Sequence, residues 1–249
     1  IINMSVPMMI SMLVQALYNV VDSIFVAMID EKALTAVSMA FPIQGLIIAV
    51  AAGTGVGVNA ILSRALGAKN NEKADKTAEN GIFLAVASYV VFLLIGIFAV
   101  KPFYMSQTDD MEIVNYGVKY LTIVCVLSLG VFIQIMFERL LQSTGKTVYT
   151  MISQALGAVI NIIMDPIMIF GIGFFPKMGV TGAAAATVIG QIAAAAVGFM
   201  FNKTKNKEIH INMIGFRPDT GMIKEIYEIG VPSMVMQAIG SVMVYGMNR

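Results

Sequence analysis

An all-α membrane protein is the fold class the sequence predicts: a six-helix bundle followed by the start of a second, parallel-repeat bundle. Composition is the first reason. Apolar residues make up 58% of the 249 residues and charged residues only 12%, against roughly 25% charged in an ordinary soluble domain. Mean hydropathy is +0.82, and a soluble fold of this size would have to expose large apolar patches, so lipid is the simpler surroundings. The second reason is periodic: apolar stretches of about 20 residues recur, each long enough to cross a hydrocarbon core about 30 Å thick. The third is their continuity, without the alternation over about ten residues that barrel strands carry.

Seven such spans are read, at roughly 2–29, 35–62, 81–100, 117–141, 148–172, 180–202 and from 226 onward. The first has no basic opening segment and is long enough to cross, so it reads as a span and not as a cleavable signal. In the second, Pro42 with Gln44 nearby supplies a bend. Its Gly53, Gly55 and Gly57 resemble a nucleotide loop only superficially, because no strand precedes them. The third span, 81–100, is read from its apolar run alone. The fourth holds Cys125, the single cysteine, which excludes an internal disulfide and a cysteine metal cluster and reads as a small core residue. Near its end Glu138 beside Arg139 reads as an interfacial ion pair.

The fifth span carries Asn161, Asp165 and Pro166. Along the sixth, Gly182, Ala186, Gly190, Ala194 and Gly198 repeat every four residues and form a narrow strip that admits a neighbouring helix. The seventh opens with Val231-Pro232-Ser233-Met234, an echo of Val6-Pro7-Met8-Met9 in the first. Six spans separate the two, an even number, so the repeat is parallel. Residues 1–202 then form an amino-terminal lobe, 203–224 an inter-lobe linker, and 225–249 the start of the first helix of a carboxy-terminal lobe that the sequence barely enters.

Orientation follows from Lys and Arg in the connections. After even-numbered spans stand Arg64, Lys69, Lys73, Lys76, Arg139, Lys146, Lys203, Lys205, Lys207, Arg217 and Lys224; the other side has Lys32, Lys101, Lys119 and Lys177. The amino terminus is therefore expected in the cytoplasm, and the protein in the cell (inner) membrane. His210, the only histidine, falls in the linker and reads as solvated. The net charge of +1 points to no nucleic-acid partner.

A carboxylate inside a span costs about 2.5 to 3.5 kcal/mol on insertion scales and usually faces a cavity or a partner. Asp22 and Asp165 are two such groups. Asn19 lies three residues before Asp22 and Asn161 four before Asp165, so each aspartate shares a helix face with an amide. Pro166 frees the carbonyl of Ile162 and is expected to kink the fifth span there. Counted from the span ends, Asp22, Asp165 and Thr187 all lie roughly 10 Å below the outer surface. Oxygen-bearing side chains at one level suit a proton or a hard cation such as sodium, and no membrane histidine or cysteine is at hand for zinc or copper. The bland reading makes both aspartates interfacial or helix-joining; the functional one is preferred. Twenty methionines fit gap filling, or a chamber that accepts varied apolar shapes.

These residues resemble the multidrug and toxic compound extrusion (MATE) family. The resemblance is carried by Asn161-Ile-Ile-Met-Asp165-Pro166-Ile-Met-Ile-Phe-Gly171 followed by Met178-Gly-Val-Thr-Gly-Ala-Ala-Ala-Ala-Thr187-Val188, and by Asp22-Ser-Ile-Phe-Val26 running on to Ala33-Leu-Thr-Ala36. Ser63-Arg64-Ala-Leu-Gly67 and Gly145-Lys146 fit as well, so it covers the whole chain. It implies a drug/cation antiporter of two six-helix lobes, working by alternating access. It implies a site for the coupling ion, H+ or Na+, at Asp22, Asn161, Asp165 and Thr187, and no other cofactor. The two carboxylates would repel when both are charged and so favour uptake of a cation. Met247 occupies the repeat position of Asp22. The implied partners are organic, often cationic small molecules, the lipid bilayer and the remaining lobe of the same polypeptide. Three rivals stand beside it. A lipid-linked oligosaccharide flippase of the same superfamily needs a cationic cavity. A membrane-embedded enzyme such as a prenyl transferase needs paired acidic metal motifs, which the loops lack, and no enzyme is expected. A non-transporting scaffold would be indifferent to neutralising Asp22.

Overall fold

The computed structural model describes residues 2–173, 176–213 and 215–247, with the backbone alone for residues 2–5, 242 and 244–247. Among them the secondary structure is helical, without a strand: α1 Ile2–Ala27, α2 Glu31–Gly67, α3 Asn71–Phe98, α4 Val100–Met105, α5 Met111–Val126, α6 Leu129–Ser143, α7 Thr147–Phe170, α8 Val180–Lys205 and α9 Thr220–Met247. Five of these are long and apolar enough to cross a membrane, six if α5 and α6 count as one bent span. The seventh expected span is present as helix α9, with Lys224, Glu225 and Glu228 in its first turns. The repeat position Met247 lies outside the described side chains.

Hydropathy underestimates two helices because polar turns can continue a helix beyond the lipid. α2 is 37 residues long, roughly 55 Å at 1.5 Å per residue, and it continues unbroken through Pro42. α3 begins ten residues before its expected span, where the Asn70 side chain accepts the Lys73 N–H at 3.0 Å and caps the first turn. The fourth span is not one helix. It breaks at Leu127 and Ser128 with a 45° bend, where the Ser128 hydroxyl donates to the Cys125 carbonyl at 2.7 Å and competes with the helical ladder. Tyr104 of the short α4 is fully buried and donates to the Ala36 carbonyl at 2.7 Å, tying that helix to α2.

α2 is central, packed against α3, α5, α6 and α9, while α1 lies chiefly on α7 and α7 on α8. The strip on α8 does what its pattern predicts. A Cβ at Gly190 would come within 2.7 Å of the Gly157 carbonyl oxygen, and one at Gly182 within 2.6 Å of the Met168 oxygen; backbone touches backbone along α7 and α8. The α2 glycines also serve packing: Gly53 and Gly57 face Met234, Gly230 and Ile226 of α9, and Gly55 lies under Arg139. Cys125 is a free, buried core residue. Much of the apolar surface faces outward, for example Met9, Leu13, Leu17 and Val20 along α1 and Val91, Leu94 and Phe98 on α3, as a lipid-facing bundle requires.

The linker is shorter and better held than its polarity implies. Lys203 and Lys205 belong to α8 and Lys224 to α9, which leaves 206–219 between them. Three side chains of α3 accept its backbone N–H groups: Asp75 from His210 at 2.7 Å, Glu79 from Asn212 at 3.1 Å and Asn80 from Asp219 at 3.0 Å. Lys146 pairs with Glu208 at 2.6 Å, and Ile209 is buried.

Candidate functional site

The site grows from polar stripes on helices that otherwise read as apolar. On α7, Gln154, Asn161 and Asp165 stand at helical spacing and fall on one face. On α1 the stripe is Gln15, Tyr18 and Asp22, on α6 Gln134 and Glu138, and on α8 Thr187 and Gln191. Because α1 and α8 both pack on α7 and α6 packs on α8, the stripes face one another across a cavity of about 260 Å³ that touches Gln15, Tyr18, Gln134, Glu138, Asn161 and Thr187 among others. A smaller adjoining cleft of about 80 Å³ reaches Asn19, Asp22 and Thr187.

At one end of this space the four expected residues meet. Asp22 and Asp165 each lie five residues before the end of their helices, and their carboxyl groups are within hydrogen-bonding reach of each other. Asp165 has no exposed surface and Asn161 has 3%. The Asn161 amide donates to Asp165 Oδ1 at 3.4 Å and to Thr187 Oγ1 at 3.5 Å, both long. Thr187 also donates to its own helix at the Ala183 carbonyl, 3.0 Å away. Gly157 and Gly190, one turn before Asn161 and one turn after Thr187 respectively, bring α7 and α8 close enough for that contact. Among the described residues, no protein donor serves three buried oxygens here: Asp22 Oδ1, Asn161 Oδ1 and Asp165 Oδ2. Pro166 has no N–H to offer the Ile162 carbonyl, and α7 nevertheless runs continuously through it to Phe170.

Three expectations are corrected. Asn19 shares a cleft with Asp22 but makes no hydrogen bond to it among the described residues: it is exposed, and its backbone carbonyl accepts from the Ser23 hydroxyl at 2.9 Å. Glu138 and Arg139 do not form an interfacial ion pair. Successive residues leave a helix about 100° apart, so Glu138 turns toward Gln134 and Gln154, which donate to it at 2.9 and 2.7 Å, while Arg139 Nη1 donates to Gln142 Oε1 at 2.7 Å. Arg139 also does not belong to a loop, as its place in the charge count assumes: it lies inside α6 and lines the cavity, so the buried charges are not all acidic. Sequence reading missed the glutamines as a group. Their helical spacing was the available signal, since four polar stripes on four membrane helices have no use against lipid.

The comparisons with known proteins point to one family. A sequence profile described as MatE matches residues 7–167. The multidrug export protein MepA of Staphylococcus haemolyticus is 30% identical over 241 residues, covering 93% of this chain and 51% of that protein. A structure described as the outward-facing conformation of a multidrug resistance MATE family transporter of the MOP superfamily superposes with a TM-score of 0.87 at 30% identity, over 95% of this chain and 52% of the other. One described as the inward-facing conformation of such a transporter does so with a TM-score of 0.87 at 30% identity, over 98% and 55%. The chain spans about half the length of the curated relatives it matches.

Proposed function

The chain belongs to the MATE family, and from that premise we propose that it is the amino-terminal lobe of a secondary antiporter, with Asp22, Asn161, Asp165 and Thr187 holding the coupling cation. The carrying observation is the set of unpartnered buried oxygens at Asp22, Asn161 and Asp165. Buried acceptors without donors are satisfied by a proton or by a hard cation that takes oxygen ligands. One positive charge between Asp22 and Asp165 would also relieve their mutual repulsion.

The full-length protein would then export organic, often cationic compounds against H+ or Na+ by alternating access, with residues 206–219 joining the lobes on the cytoplasmic side. Support for rigid-lobe motion comes from the equal superposition on outward-facing and inward-facing relatives. A lobe that keeps its shape in both states is what a rocking mechanism uses. Two measurements test the reading. In vesicles holding the full-length parent, efflux of a fluorescent organic cation should follow an imposed proton or sodium gradient; efflux indifferent to both would sink the antiport. For orientation, Lys207→Cys should react with an impermeant thiol reagent only from the cytoplasmic side. Lys207 is the proper probe because it is exposed, whereas neighbouring Asn206 is 3% exposed and bonded to Asn202 and the Leu140 carbonyl.

A further inference from the structure

Glu138 is a buried charge for which the coupling site has no use. It is 4% exposed and lies on the wall of the cavity that reaches Asn161 and Thr187. Gln134 and Gln154 each donate one hydrogen bond, to Oε1 and Oε2 respectively, but amides are neutral and bring no positive charge. No ion pair involves Glu138 among the described residues. Arg139, the charged neighbour in the same cavity, is turned aside: its stem lies against Gly55, where a Cβ would come within 2.6 Å of Arg139 Cγ, and its Nη1 is taken by Gln142. Beside the carboxylate, Gln154 Oε1 is buried with no partner. A carboxylate and an amide oxygen without a donor thus stand together on the wall of a cavity that has polar side chains such as Gln15 and Gln191 and an apolar part formed by Met12, Ile48, Val131 and Ile135.

We propose that Glu138, held by Gln134 and Gln154, is a charge-selecting subsite that takes the ammonium group of an organic cation, with the apolar body of that molecule lying on Met12, Ile48 and Ile135. The inference rests on reading the full-length chain as an exporter of organic compounds. It assigns substrate charge to a different carboxylate from the coupling ion. Gln154 and Asp165 are eleven residues apart on α7, roughly 16 Å along its axis, so an ammonium at Glu138 leaves Asp22 and Asp165 free for their own cation. Selectivity follows from desolvation: a carboxylate in a shielded cavity that meets Arg139 only at a distance, without a direct ion pair among the described residues, gains from a ligand that brings a positive charge into contact.

The test uses the purified full-length transporter without a gradient, near neutral pH, and two probes of similar ring system: ethidium, which is permanently cationic, and uncharged phenanthridine. Glu138→Gln keeps the shape and removes the charge. It should weaken ethidium binding about tenfold or more and leave phenanthridine within about twofold. Retained phenanthridine binding also certifies the fold. If Glu138→Gln cannot be purified, Glu138→Asp, which withdraws the charge by one methylene, should weaken ethidium alone by about threefold or more. Unchanged ethidium binding in these variants or an equal loss of both probes would each overturn the subsite. If the wild-type protein exports and the variants show either pattern, the subsite alone is lost. One that binds ethidium through Glu138 but exports nothing keeps the subsite and loses the antiport reading.

Discussion

At Asp22 and Asp165 two carboxyl groups meet with buried oxygens unpartnered, whereas at Glu138 a single carboxylate has both oxygens bonded by glutamine amides. The first arrangement gathers acceptors with too few donors, so it is incomplete until a proton or cation arrives. The second has a neutral amide donor on each oxygen and no ion-pair partner among the described residues. Two carboxylate centres in one helical bundle can therefore differ in what they lack, and on the reading proposed above that difference separates an ion site from a site for a charged organic group.

The largest expected effect falls on the first centre. Asp22→Asn and Asp165→Asn should each reduce gradient-driven efflux to background while the protein still inserts, and the double variant should be no worse than either single one, because each already breaks the same step. Vesicle transport under imposed gradients reads this out. Partial losses that multiply would mean that the carboxylates act separately, and the comparison would collapse into three independent acids.

A second variant attacks the frame that brings the first centre together. Gly190→Leu puts a side chain where even a Cβ would come within 2.7 Å of the Gly157 carbonyl and 3.1 Å of Asn161 Cβ. Parting α7 from α8 should cost about 1 to 3 kcal/mol, as overpacking does, and should move Thr187 away from Asn161. Thermal unfolding measures the first consequence, and a loss of sodium or proton dependence in transport the second. Pro166→Ala has a smaller effect: restoring an N–H to the Ile162 carbonyl alters α7 beside Asp165, so transport should fall a few-fold at normal expression. Wild-type transport in this variant would remove the proline from the account of the site.

The smallest effect sharpens the comparison from outside the spans. Asp110 accepts from Lys32 at 3.0 Å and from the Glu112 N–H at 2.9 Å, and the Lys32 bond holds its carboxyl below the usual carboxylate value. A folded-state value that is depressed contributes stability above the unfolded value, near 3.9, and loses it as pH falls through the folded one. Asp110→Asn should therefore lower the melting temperature slightly at neutral pH and not at all once the pH is below both values. Being exposed, the effect should shrink in high salt.

Much of this was legible along the chain. Long apolar runs located the spans because a helix in lipid must satisfy its backbone internally and show apolar side chains outward. Asp22 and Asp165 were legible because carboxylates are expensive there, and Asn161 and Thr187 because they stood at compatible faces and depths. Asn19 stood at an equally good spacing and lines the same cleft as Asp22 without a hydrogen bond to it among the described residues, since a shared face on one helix does not determine what a second helix presents. Glu138 was misread for the same reason: Arg139 is adjacent in sequence, but adjacency on a helix separates side chains, and Gln154 comes from another helix altogether.

By itself, then, the sequence determined the helical membrane class, the approximate spans, the close packing strip on α8 and the four residues of the expected ion site. Each of those follows from properties local to one helix: hydropathy over about 20 residues, side-chain size every four residues, and the cost of a charge in lipid. Tertiary structure alone decided that α5 and α6 break where one span was read, that the linker is strapped to α3, that Arg139 enters the cavity, and that Glu138 is held by amides from α6 and α7. These depend on which faces of different helices meet, and hydropathy carries no record of how each helix is rotated against its neighbours. Packing between Gly157 and Gly190, and between α2 and α9, sets those rotations.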